Sequence, residues 1–240
     1  MTAVILAAGT ASRLRPLTDN LPKPLLQIGQ HALLKRMLDA LAQNGFDDYV
    51  IVTGFCADQI VSFVNHHFPA LRAAFVHNPA YATTSNSYSL WLAGLHVRGK
   101  PFLLLDGDIL FPPQLLARLC DDPHQNALIV RKSTAVGEEE VKVQLDLQGN
   151  VCAIGKEISK TVTAGESLGI EKFSSHASTD LFRILDRRKG LGDFYEASFQ
   201  EMIDGGLHIH AVDTDGFACM EIDTPADLVM AQELVATHRV

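Results

Sequence analysis

Ala3-Val-Ile-Leu-Ala-Ala8-Gly9-Thr-Ala-Ser-Arg13-Leu-Arg-Pro16-Leu-Thr18 decides the fold, because its first half reads as strand and its second as a loop built for close approach. Ala3 to Ala8 is a short apolar run closed by Gly9, the pattern of a parallel strand buried on both faces. Small residues follow, and then Arg13. Small side chains let a backbone come close to a phosphate or a base, and the N–H groups of such a loop form an anion-binding concavity. Pro22-Lys23-Pro24-Leu25 supplies a second cation. An arginine binds two phosphate oxygens at once while a lysine acts as a point charge, so one of each suits a polyphosphate whose two ends are held differently.

Outward from this loop the pattern alternates. Leu33, Leu34, Met37, Leu38 and Leu41 recur at helical spacing and stop before Gly45. Strands are then predicted at 49–53, 73–77, 101–105 and 127–131, with helices at 58–67, 87–95 and 113–119 between them. That alternation predicts an α/β sandwich around a mostly parallel sheet. Val141 to Leu147 changes to period two, and Gly149-Asn150 separates it from Val151 to Ile158, which predicts a hairpin inside a β-rich subdomain at about 134–172. Helices at 175–188 and 195–204, strands at 208–212 and 218–222, and a helix opened by Thr224-Pro225 complete the reading.

With 240 residues, 47% hydrophobic and 20% charged, the chain has enough apolar surface for a sizeable core and is not disordered. Asp and Glu outnumber Lys and Arg 28 to 20, a net charge of −8, which argues against a nucleic-acid or anionic-membrane partner. An anionic ligand must be held locally. Cys56, Cys120, Cys152 and Cys219 lack the close pairs of zinc sites, and the N-terminus lacks the basic flank of a secretion signal, so four reduced thiols in the cytoplasm are expected. No stretch is apolar enough to span a bilayer. His66-His67 ends an amphipathic helix and His208 and His210 alternate on a strand, so both pairs read as structural.

Neither G-x-G-x-x-G nor G-x-x-x-x-G-K-[ST] occurs in the first loop. The segment instead resembles the signature L-A-A-G-x-x-x-R-[LM]-x-P-L-T followed by P-K-[PA]-[LM] of the nucleotidyltransferases that join a nucleoside triphosphate to a phosphorylated small molecule. The resemblance runs along the whole chain. It implies one nucleotidyltransferase domain over 1–240, a three-layer, Rossmann-like α/β sandwich around a mostly parallel, mixed sheet with a small β-rich insertion. Asn78-x-x-Tyr81-x-x-x-x-Asn86-x-Tyr88-Ser89-Leu90 resembles the corresponding segment of the cytidylyltransferases that act on phosphocholine and 2-aminoethylphosphonate. The stretch from Gly165-Glu166 to Ser174, with Lys142 and Lys156 before it, leans toward the phosphonoalkyl and inositol-phosphate members.

The resemblance implies roles residue by residue. Leu6, Ala7, Ala8, Gly9, Thr10 and Ala11, with Ser85, Asn86 and Asp106, would contact CTP. Arg13 would hold the β- and γ-phosphates, Lys23 the α-phosphate and the acceptor anion, and Lys156 the acceptor phosphate. Lys142 is a weaker candidate for that last role. Asp108 and Asp223, at strand ends, would hold Mg²⁺, which prefers hard oxygen ligands; Asp223 could instead cap the next helix. Aromatic residues are only 7% of the chain, so a carboxylate, Glu196 or Glu171, is the expected amine partner of the acceptor, beside Tyr195. The expected reaction transfers CMP to a small phosphonate or phosphate acceptor and releases pyrophosphate, 2-aminoethylphosphonate first and phosphocholine next. A sugar-1-phosphate or inositol-phosphate nucleotidyltransferase stays open, as does a homodimer. A silent nucleotide-binding regulatory domain also stays open, although it should have lost Arg13, Lys23 or an acidic ligand.

Overall fold

The computed structural model describes residues 1–133, 136–237 and 240. β1 (Thr2–Ala7) is the predicted first strand, and five of its six residues are buried. Two single 3-10 turns, Ser12–Leu14 and Lys23–Leu25, and a short hairpin of β2 (Gln27–Ile28) and β3 (His31–Ala32) lead into α1 (Leu33–Gln43). The chain then alternates through β4 (Asp48–Thr53), α2 (Ala57–His67), β5 (Arg72–His77), α3 (Asn86–Val97) and β6 (Phe102–Asp106). Next come β7 (Ile109–Leu110), α4 (Pro113–Asp121) and β8 (Ala127–Lys132). β9 (Lys142–Leu145), β10 (Val151–Gly155) and β11 (Gly165–Phe173) precede α5 (Ser175–Arg188) and α6 (Glu196–Asp204). β12 (His210–Asp213), β13 (Met220–Glu221) and α7 (Pro225–Ala236) follow.

The main sheet runs β10-β9-β11-β6-β1-β4-β5, with β8 joined to β11 and β12 to β8. β5, β4, β1 and β6 are mutually parallel, and β11 is antiparallel to β6, β8 and β9. Alternate residues of β1 feed two cores. Ala3, Ile5 and Ala7 pack with Leu38 and Leu41 of α1, Ile60 of α2 and Leu116 of α4, whereas Val4 and Leu6 pack with Leu90 of α3, Phe182 of α5 and Phe199 of α6. Helices on both faces explain why β1 reads as an unbroken apolar run. The fold is therefore the expected three-layer α/β sandwich around a mixed sheet. Among the described residues no helix is long and apolar enough to cross a membrane.

The β-rich segment is built differently from the expectation. Its first positions, 134–135, lie outside the described residues. The β9–β10 hairpin forms, with Ile154 opposite Val143 and Gly149 at φ +83° in the turn. Yet β11, all nine residues of it buried, carries the hairpin straight into the main sheet, pairing with β9 at one end and β6 at the other. The hairpin is thus an edge of that sheet, because one strand belongs to both. β11 escapes a pattern search since Glu166, Glu171 and Lys172 stand in it as buried charged types.

Candidate active site

Leu6 of β1 lies opposite Asp106 of β6, so the loops after these two strands leave the sheet side by side, at the C-terminal ends where open α/β sheets hold ligands. They are in close contact. The Gly107 N–H donates to the Leu6 carbonyl at 2.9 Å, and a Cβ on Gly107 would stand 2.6 Å from that oxygen, so no other residue fits without displacement. The Ala8 carbonyl accepts from the Phe55 N–H at 3.0 Å, and the buried Thr18 hydroxyl donates to the Ala11 carbonyl at 2.8 Å. The loop after β1 is held from behind. Gly9 differs, since a Cβ there would meet nothing within 4 Å. It faces two adjoining cavities of about 260 Å³ each, which also share Leu6, Arg13, Gly107, Asp108 and Asp223.

Lys23 sits in the wall of this space with its ammonium 2.7 Å from Asp108 Oδ2 and 2.5 Å from Asp223 Oδ1, and Arg13 Nη2 is 2.6 Å from Asp223 Oδ2. Burial disfavours the Lys23 ammonium, but the two carboxylates outweigh it and hold its pKa above the ordinary lysine value. Burial likewise pushes Asp223 up, and Lys23 and Arg13 more than reverse that, leaving it below the usual carboxylate range. Asp223 reaches this cluster through β13, which pairs with β7 so that Glu221 stands opposite Ile109, and through the Ile222 N–H bound to the Asp108 carbonyl at 3.0 Å. It does not cap α7. Thr224 does, in a reciprocal capping box with Asp227, which frees the Asp223 carboxylate for the cavity.

Glu221 also lines the cavity and was not singled out from the sequence. Burial first, then the charges of Asp108 and Asp223, push it up to about 8. Its only sequence signal is its place two residues before Asp223. The acidic group fits a hard divalent cation on its donor set, all carboxylate, and on Asp108 Oδ1, which is buried without a hydrogen-bond partner.

The opposite wall comes from the start of α3. Asn78, buried, donates to Thr84 Oγ1 and Ser89 Oγ at 3.1 Å each, so the first residue of the Asn78–Leu90 motif builds its own loop. Tyr81, Ser85, Asn86 and Ser89 line the cavity. Ser85 Oγ donates to the Asp193 carbonyl, and Asn86 Oδ1 accepts from the Tyr195 N–H at 3.0 Å, which ties α3 to the start of α6. Asp106 and Glu196 form part of the floor.

Tyr195 and Glu171 do not line the cavity. Both are 1% exposed and form a layer beneath it, because α6 and β11 press them against β6. Tyr195 Oη donates to Asp106 Oδ2 at 2.7 Å. Gly169, at φ +62°, lets β11 pass Asp106, since a Cβ there would lie 2.7 Å from Asp106 Oδ2. Burial first, and neighbouring carboxyl groups second, hold Asp106 and Glu171 well above the usual carboxylate range. Glu196 alone of the predicted acceptor-side carboxyls reaches the cavity. Its Oε2 is buried with no hydrogen-bond partner, and burial raises its pKa to about 7 against the opposing pull of Lys156 and Asn86.

Lys156 stands at the mouth, its ammonium 3.6 Å from Glu139 and 5.1 Å from the centre of the Phe194 ring. Lys142 is not a ligand group. It is buried and donates to the carbonyls of Lys156, Glu138 and Glu140 at 2.7, 3.1 and 3.4 Å, fastening the hairpin. Beyond Glu196 and Phe194 a third cavity of about 760 Å³ opens, with Ile154, Ile158 and Ala197 in its wall.

The family described as "MobA-like NTP transferase domain" matches residues 3–178. The chain is 28% identical over 234 residues to the CMP-5'-(3-aminopropyl)phosphonate synthase of Streptomyces rubellomurinus, covering 94% of this chain and 37% of that enzyme. It therefore spans little more than a third of that relative's length. It is 25% identical over 239 residues to the choline-phosphate cytidylyltransferase of Streptococcus pneumoniae, covering 98% of each. Among solved structures, the inositol-1-phosphate CTP transferase from T. maritima superposes with a TM-score of 0.84 at 25% identity, over 98% of this chain and 94% of that one.

Proposed function

The chain belongs to the family of MobA-like NTP transferase domains, and from that premise we propose that it transfers CMP from CTP to the phosphonate or phosphate of a small aminoalkyl acceptor, 2-aminoethylphosphonate above phosphocholine. Similarity over nearly the whole chain to enzymes named for CMP or CTP chemistry supports the nucleotide. The observation that carries the acceptor class is Glu196. Its Oε2 is buried without a hydrogen-bond partner, and Glu196 lines the cavity that also holds Gly9, Arg13 and Lys156. A primary ammonium brings three N–H donors to such an oxygen, whereas a trimethylammonium brings none and depends on aromatic faces. Tyr195, the aromatic residue expected there, is buried with its hydroxyl turned to Asp106.

In this reading an acceptor oxygen attacks the α-phosphorus of CTP, a new P–O bond forms, the α–β bridge breaks, and pyrophosphate leaves with the electron pair. The nucleophile is already an anion, so the chain supplies position and charge rather than a general base. Arg13, over half exposed at the rim, would hold the β- and γ-phosphates, and the buried Lys23 the α-phosphate. Asp108 and Asp223, with Glu221 behind them, would hold Mg²⁺, which when bound neutralises phosphate charge. Lys156 would orient the acceptor's phosphorus end and Glu196 its ammonium. The reaction involves two small molecules in the cytoplasm and neither nucleic acid nor membrane. Pyrophosphate release across CTP, UTP, dTTP and GTP, each with 2-aminoethylphosphonate, phosphocholine, inositol phosphate and glucose-1-phosphate, tests it. CTP with 2-aminoethylphosphonate is expected to give the highest kcat/KM, and a higher value with any sugar phosphate overturns the assignment.

A further inference from the structure

At the other end of the strands, remote from the crevice, Asp122, His124 and His210 come together. Asp122 follows the last turn of α4, His124 lies in the link to β8, and His210 is the first residue of β12, opposite Ala127. One ligand atom from each of the three lies within 4.8 Å of the others. The two imidazole rings stack, 3.9 Å between centroids and 19° between planes, and His124 Nδ1 is 2.9 Å from Asp122 Oδ1. A second observation is independent of this proximity: His210 Nδ1 is buried and has no hydrogen-bond partner. Sequence alone gave His210 no partner except His208, because His124 lies 86 positions away.

We propose that Asp122, His124 and His210 form a second metal site, for a borderline transition cation such as Zn²⁺, distinct from the carboxylate site of the crevice. Two imidazoles and one carboxylate are the donor set such a cation prefers, whereas Mg²⁺ and Ca²⁺ favour oxygen alone.

Tetrahedral donors around Zn²⁺ sit about 3.4 Å apart, given bonds of about 2.1 Å, so from separations within 4.8 Å the group contracts by at most about 1.4 Å. His124 supplies that movement, since its side chain is half exposed on a short turn while Asp122 is largely buried. His210 is fixed: its N–H donates to the Asn126 carbonyl at 3.0 Å, and it forms a bridge with Asn150 beside the β9–β10 turn. A metal here would pin the exit of α4, the hairpin turn and β12 to one point, making it a structural clamp.

Titration of the metal-stripped full chain with Zn²⁺, and with Co²⁺ as its visible-absorbing probe, tests this in excess Mg²⁺ to occupy the crevice. One equivalent is expected to bind at micromolar concentration or tighter and to raise Tm. His124→Ala, at a half-exposed position, and His210→Ala should each weaken binding by at least about 100-fold, beyond the 10–100-fold typical of outer-shell partners. Mg²⁺-dependent pyrophosphate release in His124→Ala should stay unchanged. Absence of saturable Zn²⁺ binding, wild-type affinity in His124→Ala, or loss of binding through Asp108→Asn instead, would each overturn the proposal.

Discussion

Glu196→Gln joins stability and specificity in a single substitution. In the folded chain the Glu196 carboxyl titrates at about 7 against an ordinary 4.5, chiefly because it is buried. Holding it ionised therefore costs about 3 kcal/mol. The folded state keeps this proton to higher pH than the unfolded state does, so the stabilisation is complete below about pH 4.5 and is lost as pH rises through about 7. A glutamine does not titrate. Relative to wild type, the variant should gain roughly 2–3 kcal/mol between pH 5 and pH 8, since part of the effect is already expressed at pH 5, which for a chain of this size is a relative Tm gain of roughly 5–10 °C. Thermal melts at the two pH values read this directly. Saturating aminoalkyl acceptor should shrink the gain, because an ammonium beside Glu196 favours the carboxylate. In the same variant KM for 2-aminoethylphosphonate should rise about 10-fold or more, as for the loss of a hydrogen bond to a charged group, while turnover with an acceptor lacking an amine barely changes. A Tm difference independent of pH would refute the buried-carboxyl argument, and equal effects on both acceptors would remove Glu196 from amine recognition.

Three further outcomes follow from the crevice. Lys23→Ala should lower kcat by at least about 10²-fold with the fold retained, the usual effect of removing one charge-stabilising group; circular dichroism with steady-state kinetics checks both, and activity within a few-fold of wild type would exclude Lys23 from the chemistry. Asp108→Asn should abolish divalent-cation-dependent turnover while metal-free CTP binding, followed calorimetrically, survives; an unchanged metal dependence would misplace the cation. Gly9→Ala and Gly107→Ala should separate: the first leaves Tm within about 1–2 °C but weakens CTP binding, and the second destabilises the fold by about 1–3 kcal/mol because its Cβ overlaps the Leu6 carbonyl. The reverse pattern would show that the open space at Gly9 is not where nucleotide lies.

The layered sheet and the cation pair were legible because their signals are local. β1 is an apolar run with a glycine stop, and Arg13 and Lys23 follow it within one loop. What the sequence concealed depends on distance. β7 and β13 are two residues each, too short for any period, yet their pairing sets Asp223 beside Asp108 and adds Glu221. Tyr195 and Glu171 carry the right chemistry for an acceptor site, and only the packing of α6 and β11 shows that they face its underside. Lys142 and Lys156 flank one hairpin with similar credentials, but three carbonyls claim the first and leave the second at the mouth.

Lys23 joins Asp108 across 85 positions and Asp223 across 200, and Arg13 joins Asp223 across 210. The matched stretch, 3–178, contains both cations and Asp108 but neither Glu221 nor Asp223. A polypeptide trimmed to that stretch would keep the loop after β1 and both cations but only one of the three carboxylates, Asp108, that cluster with them. During synthesis the same asymmetry acts in time: Lys23 is made 200 positions before Asp223 and waits that long for its second counter-charge.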